Sequence, residues 1–262
     1  MPIFANELRH GWKSLLWWAL GLVLVTLMYV PFYESIGASP EMASLLESLP
    51  QALIVGMGFD SMLSGAGYVH SSILELTAAI VVLIAGMAWG ARAIAGDEEE
   101  GMLELTLAHG VSRGRVYAER ALAIAVKLAA LGLVLGLTLA ASNGPFGLEL
   151  DLGFLTAGVV SFTLLAAALA YVALAVGAAT GRRGMAVGVG SVVAVAAYMA
   201  NVFARQSEDF DWLADISPFG WAFAEIPIMN GWDWPGIGLL AALAAVAFAV
   251  GLVTLNRRDL HD

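Results

Sequence analysis

Cysteine is absent from this chain of 262 residues, and its absence excludes disulfide bonds, thiolate metal sites and thiol catalysis together. Charge is also scarce, because 13% of the residues are charged, against about 25% in an average soluble domain. Hydrophobic residues make up 60% of the chain. A soluble protein with this balance would have far more apolar surface than its core could bury. The composition therefore predicts a polytopic membrane protein.

The sequence also lacks the usual signatures of catalysis. The glycine-rich G-x-x-x-x-G-K-[ST] loop that holds ATP phosphates does not occur. The four histidines, which are His10, His70, His109 and His261, are scattered and have no metal-ligand spacing. Ser71 and Ser72 follow His70 directly and do not resemble a positioned nucleophile and base. We therefore predict no catalytic residue, no metal site and no cofactor bound by this chain.

What the sequence does contain is a series of long apolar runs. A run of about 20 apolar residues crosses the ~30 Å hydrocarbon layer of a bilayer as a helix. Six runs meet this length, at roughly 15–35, 72–93, 119–141, 154–179, 186–203 and 237–255. They predict helices, since backbone groups in lipid must be hydrogen-bonded within their own segment. The expected fold is an all-α polytopic membrane protein whose residues 1–262 form a single transmembrane domain.

The orientation follows from the basic residues, of which there are twelve. Ten flank one set of loop and terminal segments: Arg9, Lys13, Arg92, Arg113, Arg115, Arg120, Arg182, Arg183, Arg257 and Arg258. Arg205 falls on the other side, and Lys127 lies inside the third span. By the positive-inside rule, both termini and the loops after the second and fourth spans are predicted to be cytoplasmic. The predicted location is the cell (plasma or inner) membrane.

Three segments outside the spans are predicted to be structured. Residues 1–14 form an amphipathic interfacial helix, with Phe4, Leu8 and Trp12 on one face. The external segment 36–71 contains EMASLLESL, a candidate short helix that ends before Pro50. The external segment 204–236 is rich in aromatic residues, which suits anchoring at headgroup depth; a substrate gate is the alternative. Its aromatic residues are Trp212, Phe219, Trp221, Phe223, Trp232 and Trp234.

The net charge of −10 is divided between the two sides. The acids of the predicted external segments could attract cations or reject anions, or they could simply keep the loops soluble. They make nucleic acid an implausible partner. Inside the spans, Glu75 and Lys127 are the ionisable groups. An intramembrane acid is a candidate proton or ion site, but Glu75 lies about one turn from the outer boundary, where we expect it to be hydrated. We expect Lys127 to extend its amine back to the interface.

Residues 96–120, GDEEEGMLELTLAHGVSRGRVYAER, concentrate charge in an otherwise apolar chain. Interpreted as one helix, they place Asp97, Glu100 and Glu104 on one face and leucines on others. His109-Gly110 is a plausible helix end, after which Ser112 caps the helix that continues into the third span. This pattern predicts a short cytoplasmic docking helix that is tied to two spans.

The same segment resembles the loop between the second and third spans of type-2 ATP-binding-cassette (ABC) transporter permeases. That loop has an acidic run, a glycine, a leucine-rich stretch and a Val-Ser-Arg-like turn. The matching residues here are Asp97, Glu98, Glu99, Glu100, Gly101, Met102, Leu103, Glu104, Leu105, Leu107, Val111, Ser112 and Arg113. Met102 and Gly110 depart from the usual threonine and proline. The resemblance extends over the whole chain in architecture, through the N-terminal ELRHGWKSLLWW and the C-terminal NRRDL.

The resemblance implies a function and partners. In such permeases the segment, here 96–118, is a coupling helix that seats in a groove of a separate ATPase subunit, and that subunit binds ATP and Mg. Two permease chains, as a homodimer or heterodimer, and two ATPase chains are then expected. The path would run between the permeases along the first, second and fifth spans. The expected function is export.

Two alternatives remain open from the sequence. A membrane-embedded enzyme of lipid or peptide chemistry would need intramembrane catalytic groups, and the spans do not offer them. A non-transporting scaffold or sensor would use the coupling segment only to recruit a cytoplasmic partner.

Overall fold

The structure, a computed structural model, describes residues 2–37, 44, 48 and 64–258, and every regular element in these ranges is a helix. Six helices are long and apolar enough to cross a membrane. They are α1 (Pro2–Tyr29), α2 (Gly65–Glu99), α4 (Arg113–Asn143), α5 (Leu152–Thr180), α6 (Arg183–Ala204) and α10 (Trp234–Arg257). Four short α-helices join them: α3 (Met102–Ala108), α7 (Trp212–Ile216), α8 (Pro218–Phe223) and α9 (Pro227–Asn230), together with a π-helical turn at Tyr33–Gly37 and a 3₁₀ turn at Glu208–Phe210. The six predicted spans are confirmed, and all the helices extend beyond the predicted bounds at one end or both.

The first helix differs from the prediction. We expected a separate interfacial helix over 1–14, whereas α1 runs without a break from Pro2 to Tyr29. Side chains of α4 hold its N-terminal part: the backbone N–H of Phe4 donates to Glu119 Oε2 at 3.0 Å, an acceptor that suits a helix N-terminus. This attachment holds the N-terminal part of α1 against α4.

The second span is not uniformly α-helical. Two stretches, Val69–Thr77 and Arg92–Gly96, have the wider π-helical turn. In the first of them, the hydroxyl of Thr77 donates to the carbonyl of Ser72, five residues earlier, at 2.7 Å. Such insertions are rare and occur often at functional sites. One of them carries Glu75 and the other leads directly into the acidic run at Asp97.

The centre of the bundle is α5, which packs against α2, α4, α6 and α10. Small residues allow the close approach of α2, and a Cβ at Gly90 would overlap the carbonyl oxygen of Ala170. Helices in membranes commonly pack through such small residues, because lipid offers no hydrophobic drive to bring them together. The outer helices α1, α6 and α10 are much less buried than α2 and α5.

The segment between α6 and α10 folds back onto the bundle. Ser217 caps α8 through the N–H groups of Phe219 and Gly220, and its hydroxyl donates to the carbonyl of Ala197 in α6 at 2.6 Å. Phe219 and Phe223 are buried, so the prediction that these rings anchor the segment at the membrane surface is wrong for them. Trp212, Trp232 and Trp234 are exposed, as is Phe210. The predicted EMASLLESL helix falls where only residues 44 and 48 are described.

Candidate functional site

The candidate coupling segment is a short helix, α3, that two glycines isolate. Gly101 (φ 69°) and Gly110 (φ 77°) both adopt the left-handed conformation that favours glycine. The N–H of Gly101 donates to the carbonyl of Glu98 at 3.0 Å, which ends α2 before α3 begins. The prediction of one continuous helix is therefore wrong, and Asp97, Glu100 and Glu104 do not share one helical face.

The leucines of α3 point to different surroundings. Leu103 is 1% exposed and belongs to the hydrophobic core of the bundle. Leu107 is half-buried against the same core. Leu105, by contrast, is 59% exposed, and Met102 is also exposed. The leucine face that was predicted to contact another protein thus packs partly against its own chain, and Met102 and Leu105 form the outward-facing apolar pair.

The acidic run binds the chain's own basic residues. Asp97 forms an ion pair with Arg120 of α4, and Arg120 also donates to the carbonyl of Ala93 in α2. Glu98 forms an ion pair with Arg258, the residue after α10. All four charged side chains of these two pairs are largely withdrawn from solvent, so each pair is screened less than a surface pair.

The remaining acids are more exposed. Glu99 Oε1 accepts from the backbone N–H of Arg183 at 2.8 Å, at the start of α6, where an acid is favoured by the helix dipole. Glu100 lies 4.0 Å from Arg92, and both side chains are more than half exposed. Glu104 has no ion-pair partner among the described residues. The acids therefore fasten the start of the segment to α4, α6 and α10, and leave Glu104 facing outward.

The turn after α3 is built as the sequence predicted. Ser112 caps α4, and its hydroxyl accepts from the N–H of Arg115 at 3.4 Å. Arg113 Nη1 donates to the carbonyl of Arg258 at 2.5 Å and approaches the carbonyl of Leu255 at 3.4 Å. Val111 is half-buried against the core. The segment is thus anchored at both ends, by acids before α3 and by Arg113 after it.

Lys127 belongs to a second set of contacts at this end of the bundle. Its Nζ lies 3.9 Å from Glu7 Oε2 and 5.5 Å from the ring centroid of Trp89. Arg120 Nε lies 3.7 Å from Glu7 Oε1. Lys127 is buried, so it pairs with the N-terminal helix instead of extending to open water. This partner could not be identified from the sequence, because Glu7 is 120 residues away along the chain.

At the opposite end of the bundle, Glu75 is the centre of a buried polar cluster. Arg205 binds its carboxylate through both guanidinium Nη atoms, at 2.9 Å to Oε2 and 2.6 Å to Oε1. Asn201 Nδ2 donates to Oε1 at 2.7 Å. His70 Nε2 lies 3.6 Å from Oε2, and neither of its ring nitrogens has a hydrogen-bond partner among the described residues.

This cluster corrects the expectation that Glu75 is hydrated. Its side chain is 7% exposed, and a bidentate arginine pair replaces the water that a carboxylate would otherwise need. The sequence contained one signal for this pairing. Arg205 is the single basic residue that the charge pattern placed at this end. A lone arginine at the end of a span predicts an acidic partner near it.

Comparison with known proteins gives one match for the whole chain. The family model described as ABC-2 family transporter protein matches residues 1–260. No curated protein matches the chain.

Proposed function

The chain belongs to the ABC-2 family of transporter proteins, and on that premise we propose that it exports a substrate with ATP that a separate subunit hydrolyses. Its place is in the membrane, as a multi-pass permease subunit of an ABC transporter, and in bacteria this is the inner membrane. In this proposal ATP and Mg are bound by the partner.

We infer the ATPase contact from the outward-facing side chains of Met102 and Leu105. These side chains are exposed on a seven-residue helix that connects two spans at the predicted cytoplasmic end. An exposed methionine and leucine on a charged surface suit the apolar centre of a protein contact, with Glu104 beside them as a polar rim. We assign the ATPase groove to this face rather than to Leu103 and Leu107.

The contacts around α3 support its role in transmitting movement. Leu103 fixes the helix to the core, and the acids before it reach three other spans: Asp97 reaches α4, Glu99 reaches α6 and Glu98 reaches the end of α10. A displacement of α3 by a partner is therefore passed to several spans at once, since packed elements move as units more readily than they deform. This arrangement suits a coupling element better than a loop that only recruits a partner.

The outer faces of the bundle support a second permease chain. The first and fifth spans, α1 and α6, expose apolar side chains such as Trp17, Leu24, Val192 and Val195. Gly184 and Gly188 of α6 have nothing near the position of a Cβ, and this spacing permits close contact with another helix. We propose that two permease chains meet through this side and that two ATPase chains bind below them.

The test is assembly with the ATPase after charge is placed on the outward pair. Leu105→Glu should abolish co-purification of the ATPase with the permease, because an unpaired carboxylate buried in a contact costs about 1–3 kcal/mol or more. The matched control is Ile216→Glu, since Ile216 is also 59% exposed but lies at the opposite end. The control should assemble normally.

Two results would count against the proposal. Normal assembly of Leu105→Glu would remove α3 as the docking element. Normal assembly of the unmodified chain with an ATPase whose hydrolysis no substrate stimulates would favour the scaffold or sensor function instead.

A further inference from the structure

A groove between α2 and α6 runs along α2 from Glu75 to Met87. It has a volume of about 320 Å³, which is within the range of small-molecule sites. Its walls include Ala79, Leu83 and Met87 of α2 and Val195 of α6. From residue 75 to residue 87 a helix rises roughly 18 Å, so the groove is long, narrow and apolar, with its ionisable group at one end.

The ionisable group is the Glu75 carboxylate, and its counter-ion can be exchanged. Glu75 is 7% exposed, whereas the Arg205 side chain that neutralises it is 40% exposed. A carboxylate in this position must keep a positive partner, because an unpaired buried charge is costly. Arg205 can return to water, since its guanidinium already lies partly in solvent, although it gives up two hydrogen bonds to the carboxylate. A cation that enters the groove can therefore take its place.

Two further features favour a cation. Tyr198 and Phe219 lie at the same end of the groove and pack edge to face, with 5.4 Å between ring centroids, and aromatic faces attract delocalised cations. The surrounding end of the bundle is acidic. Its exposed acids include Glu149, Asp151, Asp209, Asp211, Asp215 and Glu225, and this potential raises the local concentration of cations.

We propose that the groove between α2 and α6 is a binding site for a lipophilic organic cation, whose charge replaces the guanidinium of Arg205 on Glu75. The apolar body of the ligand lies along Ala79, Leu83 and Val195. The inference rests on the proposed function, because it names the class of cargo that the permease carries. A neutral lipid would leave the Glu75–Arg205 pair intact and would gain nothing from the carboxylate. An anion would be repelled by it.

The experiment measures binding of tetraphenylphosphonium to the purified permease in nanodiscs by equilibrium dialysis, without any ATPase. Saturable binding is expected. Glu75→Gln should weaken it by about tenfold or more, the loss of one charge-assisted contact. Arg205→Gln should tighten it, because the competing cation is removed. Tetraphenylborate has the same shape and the opposite charge, and it should not bind saturably.

Two controls separate the groove from the general charge of this end. Asp211→Asn removes one exposed acid that lines no part of the groove, and it should bind tetraphenylphosphonium like the unmodified chain. Val195→Trp fills the groove from an exposed position without touching the ion pair, and it should lose binding. This variant therefore tests the site even if the Glu75→Gln protein does not fold.

Equal binding of the two tetraphenyl ions, or unchanged binding by Val195→Trp, would overturn the proposal. Failure of the ATPase to assemble would count against the proposed function alone, since this measurement needs no ATPase.

Discussion

Glu98, in the last turn of α2, forms an ion pair with Arg258, the residue that follows α10. The two residues are 160 positions apart in the sequence. Arg258 also accepts, through its carbonyl, a hydrogen bond from Arg113 at the start of α4. This end of the bundle is therefore closed by contacts that join the second, third and sixth spans directly beneath α3.

Removing the Glu98–Arg258 pair should destabilise the permease itself. Glu98→Gln is expected to lower the free energy of unfolding by about 1.5–3 kcal/mol, the range for a hydrogen bond to a charged group. The measurement is thermal or denaturant unfolding in detergent. Glu100→Gln is the matched control, since Glu100 pairs only at 4.0 Å on the surface, and it should change little. An equal loss in both variants would contradict the assignment.

Substitutions of the α3 leucines should have separate effects on the stability of the permease and on its assembly with the ATPase. Leu103→Ala is expected to cost about 2–5 kcal/mol of stability, because it leaves a cavity in the core. Leu105→Ala should stay within about 0.5 kcal/mol, as for most surface changes, while it weakens assembly with the ATPase. Unfolding of the permease alone and co-purification of the complex measure the two effects. The same loss of stability in both variants would mean that Leu105 is also buried.

The charges of the segment should differ in their response to salt. Glu104→Lys should weaken ATPase assembly by about 0–1 kcal/mol at low salt and less at high salt, since exposed charges are screened beyond ~8 Å at physiological ionic strength. Asp97→Lys should instead destabilise the permease at every salt concentration, because it places a cation against the buried Arg120. Subunit binding across a salt series checks the first effect. Unfolding of the permease checks the second.

The predicted orientation can be tested with reporter fusions. Fusions after Ala108 and Gly181 should report the cytoplasm, and fusions near Leu148 and Asp215 should report the outside, because ten of the twelve basic residues flank one set of segments. An external report after Ala108 would place α3 away from any cytoplasmic ATPase and would remove the proposed function.

The absence of cysteine makes the proposed permease contact easy to test. Val192→Cys, on the exposed face of α6, should form a disulfide-linked pair with a second permease that carries a cysteine on the same face. Leu133→Cys is the control, since Leu133 is similarly exposed on α4, and it should remain unlinked. Linking at Leu133 alone would move the contact to α4.

Several parts of the structure could be predicted from the sequence because they depend on local chemistry. The six apolar runs are long enough to span a bilayer, and each forms a helix. Ser112 was identified as a cap by its place before an apolar run, and it caps α4. The stop at His109-Gly110 is also confirmed. Gly101 was the missed signal, because a glycine after an acidic run was not interpreted as the end of a helix.

The inner and outer faces could not be predicted in the same way. Leu103 and Leu105 are the same residue type two positions apart, yet one is buried and the other is exposed. In a soluble protein the polar side of a helix shows which face lies outside. In α3 the seven residues MLELTLA carry a single charge, so the polar side is too short to show which leucine faces the core.

The sequence by itself therefore determined the class, the number of spans and the helix boundaries at His109-Gly110 and Ser112, since apolar length and capping act within a few residues. The tertiary structure alone decided which charges meet. Glu75 and Arg205 lie 130 residues apart, and Glu98 and Arg258 lie 160 apart. Ion pairs of this kind depend on the packing of whole helices, and packing brings together residues whose separation along the chain carries no information about their distance.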